Sequence, residues 1–274
     1  MRRKRSYLAN ALGVLASCVM GFPVYWMLTT SFKDKGDILS TSPTLWPSSW
    51  TLDNYAQALN REGFLQALLN SAQVVAVTVA VSMLVATFAA IAVARMRFRG
   101  RSAYVVSILL VQLVPLSALL LPLYLLLTNL GMVDSLPGLA LTYIAFVLPF
   151  VVWTLRGFLV NIPVELEEAA LVDGCTRPQA YLRVLFPLMA PGLVATAIFA
   201  FIQAWNEFLL AYILLSSEDK VTMPVWLASF ITRRGTEWGP LMAASTLSAI
   251  PVVIFFMLIQ DRMAQGVTAG AVKG

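Results

Sequence analysis

Long apolar runs separated by short polar segments dominate this chain. Six runs are long enough to cross a hydrocarbon core about 30 Å thick as helices; they cover residues 8–30, 68–94, 103–128, 138–159, 192–214 and 241–260. Prolines inside the runs are compatible with spanning helices, because neighbouring helices can satisfy the carbonyl groups that a proline frees. The pattern therefore predicts an all-α polytopic membrane protein with six transmembrane helices.

The same pattern divides the chain into three parts. Residues 1–67 contain the first transmembrane helix and a loop outside the membrane, residues 68–260 form the core transmembrane domain, and residues 261–274 form a tail. Within the core, the polar segment 160–190 predicts a loop of two short helices. Composition agrees with a membrane protein, because only 12% of the 274 residues are charged, about half the fraction in a soluble domain.

The positions of the basic residues predict the orientation. Thirteen of the nineteen lysine and arginine residues fall on the side that holds both termini, four of them before the first run. The positive-inside rule therefore places both termini in the cytoplasm. Because these charges lie at the ends of spans, we expect them to meet membrane lipid and not nucleic acid. The first run exceeds the roughly 7–15 residues of a cleaved signal sequence, so we predict that it is retained.

Several kinds of chemistry lack their residues. The chain has no histidine, the commonest metal ligand and general base near neutral pH. Cys18 and Cys175 lie in different segments, without the spacing of a metal site. No glycine-rich loop ending in Gly-Lys-Ser/Thr is present to bind ATP. We therefore predict no catalytic residue, no metal and no cofactor in this chain.

The polar segment 160–190 carries clear helix start and stop signals. Asp173 and Gly174 are suited to end a first helix, since glycine takes a positive φ without strain. Thr176 and Gln179 have the spacing of a capping box that starts a second helix, and Pro187 is expected to break it. These residues alone fit two roles, an amphipathic connector lying on the membrane surface or an element that docks another protein.

A family resemblance distinguishes the two roles. Glu168-Ala169-Ala170, then Asp173-Gly174-Cys175, and later Phe186-Pro187, resemble the EAA loop of bacterial ABC importer permeases. Cys175 stands where alanine is usual, and Phe186 where leucine is usual. The resemblance to carbohydrate-uptake permeases of the maltose-transporter type, in their six-span subunit, extends over nearly the whole chain. It includes residues 70–71, 95–101, 131–137, 205–208 and 268–274.

This resemblance implies an ABC importer permease fold in the bacterial plasma (inner) membrane and a set of partners. These are a second, related permease that forms a heterodimer with this chain, a homodimeric ABC ATPase that holds ATP and Mg, and an extracytoplasmic sugar-binding protein. The substrate would be a disaccharide, oligosaccharide, amino sugar or related polyol. The residues implied in coupling to the ATPase are Glu168, Ala169, Ala170, Asp173, Gly174 and Pro187.

A polar group near the outer end of the fifth run is the second candidate site. It consists of Gln203, Trp205, Asn206 and Glu207. An acid within a span usually faces a bundle interior or an aqueous cavity. Three roles stay open: lining a sugar path, contact with the second permease, or contact with the docked binding protein. Gln112, elsewhere in the spans, is expected to make a packing contact between helices.

An ion- or proton-coupled secondary transporter is the alternative function. Such transporters usually contain relays of membrane-embedded acids or histidines, and repeated broken helices. This chain offers one acid within the predicted spans, no histidine and no visible repeat. These features favour the ATP-driven importer.

Overall fold

The fold is known from a computed structural model that describes the backbone of residues 2–271 and the side chains of residues 10–259. Thirteen α-helices, one π-helical turn, one 3-10 turn and one short antiparallel β-hairpin make up the described chain. In order they are α1 (Arg2–Ser31), α2 (Lys35–Leu39), α3 (Asp53–Asn60), α4 (Phe64–Arg95), α5 (Arg101–Gln112), α6 (Leu116–Asn129), α7 (Leu136–Val160), α8 (Glu165–Val172), α9 (Arg177–Ala180), the π-turn (Tyr181–Leu185), α10 (Phe186–Trp205), α11 (Leu209–Leu214), the 3-10 turn (Glu218–Lys220), α12 (Met223–Ala228), β1 (Ile231–Thr232), β2 (Gly235–Thr236) and α13 (Trp238–Ala271).

Five stretches of helix are long and apolar enough to span a membrane by themselves: Asn10–Ser31, Phe64–Arg95, Leu136–Val160, Arg177–Trp205 and Trp238–Ile259. The third predicted run, 103–128, is instead the pair α5 and α6, which are bent by 100° at a short break. The break falls at Pro115, which has an extended backbone with φ −65° and ψ 129°. The expectation that every proline sits inside a continuous helix is wrong here, because proline has no N–H and disfavours helix in the residue before it.

The fifth predicted run, 192–214, also differs from the structure. Its helix begins earlier, at Arg177, and ends at Trp205, and a separate short helix follows as α11. Glu207, predicted to lie within a span, therefore occupies the break between α10 and α11.

The chain separates into two compact units. The core unit contains Gln66–Val225 and the residues from Pro251 onward. It has two buried apolar clusters, one around Tyr143 and Trp205, and the other around Leu155 and Leu185. Of the predicted tail, residues 261–271 continue α13, and residues 272–274 lie outside the described residues.

The first unit contains the residues up to Leu65 together with Trp226–Ile250. Its most unusual feature is Lys33, whose residue is only 2% exposed. The Lys33 ammonium donates to the Thr44 carbonyl and lies 4.2 Å from the centroid of the Trp26 ring. Asn54 Nδ2 donates to the Lys33 carbonyl at 2.7 Å. The carbonyl and the aromatic face stabilise a charge that would otherwise be costly to bury.

Candidate functional site

The turn after α8 is a complete Schellman motif. Gly174 has φ +87°, in the left-handed region that glycine adopts without strain. The Gly174 N–H donates to the Leu171 carbonyl at 3.1 Å, and the Cys175 N–H donates to the Ala170 carbonyl at 3.0 Å. These are the two bonds that define the motif. Asp173 and Gly174 therefore end the first helix as predicted.

The two faces of α8 have different environments. Glu167 and Ala170, three residues apart on one face, are buried at 7% and 8% exposure. Glu168 and Ala169 are exposed on the other side, and Val172 is 87% exposed. A short helix with an exposed valine and an exposed carboxylate offers an unoccupied surface within this chain.

The buried face of α8 is held by an ion pair that the sequence did not predict. Arg95, the last residue of α4, donates from Nε to Glu167 Oε1 at 2.5 Å, and the two side chains are 7% and 10% exposed. Arg95 Nη2 also donates to the Ile162 carbonyl at 2.9 Å, just before α8. One guanidinium thus binds both the entrance of the loop and its first helix.

The second helix of the loop is the beginning of the next span. Gln179 Oε1 accepts the Thr176 N–H at 2.8 Å, as a capping box requires. The prediction that Pro187 breaks this helix is wrong, because the helix continues from Arg177 to Trp205. A π-turn at Tyr181–Leu185 precedes Pro187, which lies in the first turn of α10. The wider i→i+5 turn and the early position in α10 accommodate a residue without an N–H.

The second candidate group surrounds a cavity of about 470 Å³ within the core unit. Its polar lining is Gln112, Gln203, Asn206 and Glu207, and its aromatic lining is Tyr143, Phe146, Phe150, Phe199 and Phe208. The Phe150 and Phe199 rings stack, with centroids 3.8 Å apart. Gln112 is exposed toward this cavity, so the expected packing contact of that side chain is not what the structure shows.

The structure brings three of the four predicted polar-group residues to this cavity and leaves one outside it. Gln203, Asn206 and Glu207 line the cavity, whereas Trp205 is absent from its lining. The Trp205 residue is 4% exposed in an apolar cluster, with its ring 5.6 Å from that of Phe201. In this conformation the Trp205 ring packs against protein.

The carboxylate of Glu207 is fully engaged in holding the break between α10 and α11. Glu207 Oε1 accepts the Leu210 N–H at 2.8 Å, and Oε2 accepts the Ala211 N–H at 3.2 Å. The Tyr143 hydroxyl of α7 donates to Oε2 at 2.8 Å. Glu207 therefore supplies acceptors to the otherwise unsatisfied N–H groups at the start of α11.

A polar cluster fastens the loop after α11 to the turn before α7. Asp134, with φ +52°, accepts from the Ser217 hydroxyl at 2.5 Å and from the N–H groups of Ser217 and Ser216 at 3.0 and 2.9 Å. Lys220 Nζ lies 3.0 Å from Asp134 Oδ2. The hydrogen bonds from Ser217, above all from its hydroxyl, hold the pKa of Asp134 well below its usual range. We call these four residues the Asp134 cluster.

Potential metal ligands do not converge anywhere in the part of the chain that the structure describes. No three side chains of histidine, cysteine, aspartate or glutamate there are arranged to hold an ion.

Together, the spanning helices, the cavity among them and the exposed helix α8 define a polytopic membrane permease. The chain belongs to the family of binding-protein-dependent transport system inner membrane components, whose sequence profile matches residues 82–269. The chain is thus a multi-pass permease subunit of an ABC importer, and the predicted family and fold are confirmed.

Individual relatives match over nearly their whole length. The diacetylchitobiose uptake system permease protein DasC of Streptomyces coelicolor is 43% identical, over 97% of this chain and 96% of that protein. The trehalose transport system permease protein SugB of Mycobacterium tuberculosis is 37% identical, over 99% of both chains. A bacterial ABC transporter involved in the import of the acidic polysaccharide alginate shares the fold, with a TM-score of 0.80 and 22% identity over 94% of this chain and 96% of that chain.

Proposed function

We propose that this chain forms half of a sugar path in which a separate homodimeric ATPase drives the transport cycle through helix α8. The observation that carries the proposal is the division of α8 into a face buried against its own chain and a face left exposed. An element held in this way can be gripped from outside and still transmit force to the bundle. ATP and Mg then belong to the ATPase and not to this chain.

The exposed face of α8 has the chemistry of a docking surface. Glu168 presents a carboxylate that suits a basic site, and Ala169 allows close approach of another backbone. Gly174 sets the direction in which the chain leaves the helix. Rigid displacement of such a helix, when the ATPase dimer closes on ATP, would switch the permease between inward-open and outward-open states.

The remaining partners follow from surfaces that this chain does not cover itself. The apolar window of α1, Asn10–Ser31, has none of its residues buried, whereas half of the corresponding window of α7 is buried. This supports a second, related permease as a heterodimeric partner beside lipid. The distribution of basic residues supports cytoplasmic termini and a cytoplasmic α8. An extracytoplasmic sugar-binding protein would then deliver substrate from the opposite side.

The cavity supports a sugar as the substrate. Its volume lies within the range of about 300–1,000 Å³ that is typical of small-molecule sites. Aromatic rings can pack against the apolar faces of a sugar, and the amides of Gln112, Gln203 and Asn206 can bond its hydroxyl groups. The relatives that transport diacetylchitobiose and trehalose agree with a disaccharide or amino sugar. Glu207 would shape this cavity by holding α11 in place.

Reconstitution of the complete complex in lipid vesicles tests the proposal. Vesicles that contain this chain, its partner permease and its ATPase should take up labelled disaccharide when the loaded binding protein is outside and ATP is inside. A proton ionophore should leave this uptake unchanged. Uptake that needs no ATP and collapses with the ionophore would instead establish the secondary transporter.

A further inference from the structure

The ion pair between Arg95 and Glu167 is not required for docking, because both side chains are turned away from the exposed face of α8. Their side chains are 7% and 10% exposed, and their closest N–O distance is 2.5 Å. Glu168, the next residue along the helix, is exposed. Successive residues of an α-helix point about 100° apart, so two adjacent carboxylates can serve opposite faces.

The pair joins α8 to a span that is not its neighbour in sequence. Along the chain, α8 lies between α7 and α10, whereas Arg95 is the last residue of α4. Arg95 also donates to the Ile162 carbonyl, so its planar guanidinium is fixed at two points on the loop. Upstream, Ala90 and Ile91 of α4 are buried in the apolar cluster that includes residues of α7 and α10.

We propose that Arg95 and Glu167 are positioning residues that transmit displacement of α8 to α4. This inference rests on the proposed docking of the ATPase on the exposed face of α8. It divides the work of two neighbouring acids: Glu168 binds the partner, and Glu167 passes the movement inward. Neither residue of the pair touches substrate or nucleotide.

The physical reason lies in the directionality of the contact. A buried ion pair with little access to water is costly to break by removal of one partner, because the other charge remains unpaired. Two hydrogen bonds from one guanidinium also fix distance and angle together. An apolar contact of the same area permits sliding, and would allow α8 to move without α4.

Matched variants in the reconstituted complex test the inference. The variants are Glu167→Gln, Arg95→Met, the double variant, and Glu165→Gln as a control that alters an exposed glutamate of the same helix. Two quantities are measured: the amount of ATPase that co-purifies with the permease, and the sugar transported per ATP hydrolysed. The second is a ratio, so a lower yield of a variant does not affect it.

We expect Glu167→Gln and Arg95→Met to retain the ATPase but to transport about tenfold less sugar per ATP, a change that corresponds to about 1.4 kcal/mol. The double variant should be no worse than either single variant, because the residues act as one unit. Glu165→Gln should match the wild type in both measurements. If Glu167→Gln does not assemble, Glu167→Asp, which keeps the charge on a shorter side chain, should assemble and transport less sugar per ATP.

Three results would overturn the inference: normal transport per ATP in Glu167→Gln, normal transport per ATP in Glu167→Asp where only that variant assembles, or strictly additive losses in the double variant. Loss of the bound ATPase from Glu167→Gln, to the extent seen in Glu168→Gln, would assign Glu167 to docking and also refute it. Failure of the docking proposal has a separate signature, because Glu168→Gln would then retain its ATPase and its uptake.

Discussion

Replacement of Gly174 by valine tests the docking proposal at its most sensitive backbone position. Gly174 has φ +87°, and nothing lies within 4 Å of the position where a Cβ would stand. The substitution therefore causes no collision, and its whole cost is backbone strain. An L-residue in the left-handed region costs about 1–2 kcal/mol, and a β-branched residue is the least tolerated.

This strain can be relieved only by opening the turn. Opening breaks the hydrogen bonds to the Leu171 and Ala170 carbonyls, each worth about 0.5–1.5 kcal/mol. The two costs are of similar size, so the native turn of Gly174→Val should compete with open forms. Since 1.4 kcal/mol corresponds to a factor of about ten, we expect the ATPase to bind about tenfold more weakly and uptake to fall accordingly.

Titration of the ATPase onto the purified permease measures this loss directly. Gly174→Asn is the tolerant variant, because asparagine enters the left-handed region more readily than other residues do, and it should retain most of the affinity. Gly100→Val is the matched control, since Gly100 has φ +90° and equally open surroundings but precedes α5. Wild-type affinity in Gly174→Val, or an equal loss in Gly100→Val, would refute the reasoning.

Three further predictions concern the cavity and the Asp134 cluster. Tyr143→Phe removes a hydrogen bond to Glu207 and should destabilise the protein by about 1–3 kcal/mol, measured by thermal unfolding in detergent; an unchanged unfolding temperature would contradict the assigned role of the pair. Alanine at Gln203 and at Asn206 should raise the sugar concentration needed for half-maximal uptake without loss of bound ATPase, and unchanged uptake kinetics would remove both side chains from the path. Because its pKa is lowered in the folded protein, Asp134 stabilises the fold fully above the ordinary aspartate pKa of about 4. The unfolding temperature of the wild type should therefore exceed that of Asp134→Asn at neutral pH, and this difference should shrink as the pH falls below 4; a constant difference would contradict it.

Hydrophobic runs predicted most of the fold because each spanning helix must satisfy its backbone within itself. They could not predict how a proline is accommodated. Pro115 ends a helix and creates a 100° bend, whereas Pro187 sits after a π-turn in a helix that continues. The hydrogen-bond pattern of the preceding turn decides between these outcomes, and a count of apolar residues does not contain it.

Local signals also predicted the turn at Gly174, since the left-handed backbone is a property of the residue itself. The partners of Arg95 and Glu207 are of another kind. Arg95 lies 72 residues from Glu167, and Glu207 lies 64 residues from Tyr143. Such pairs depend on how helices pack, and the charge pattern along one helix does not identify them.

The acids of α8 show why helical geometry adds to a motif. Along the sequence, Glu165, Glu167 and Glu168 form one acidic group that favours the positive end of the helix dipole. In the structure they separate, because Glu167 shares a face with Ala170 and points to Arg95, while Glu165 and Glu168 remain exposed. Charge at the helix start is therefore not the whole reason for these residues. A helix that must be gripped on one face and fastened on the other needs an acid on each side, and adjacent positions provide this within a single turn.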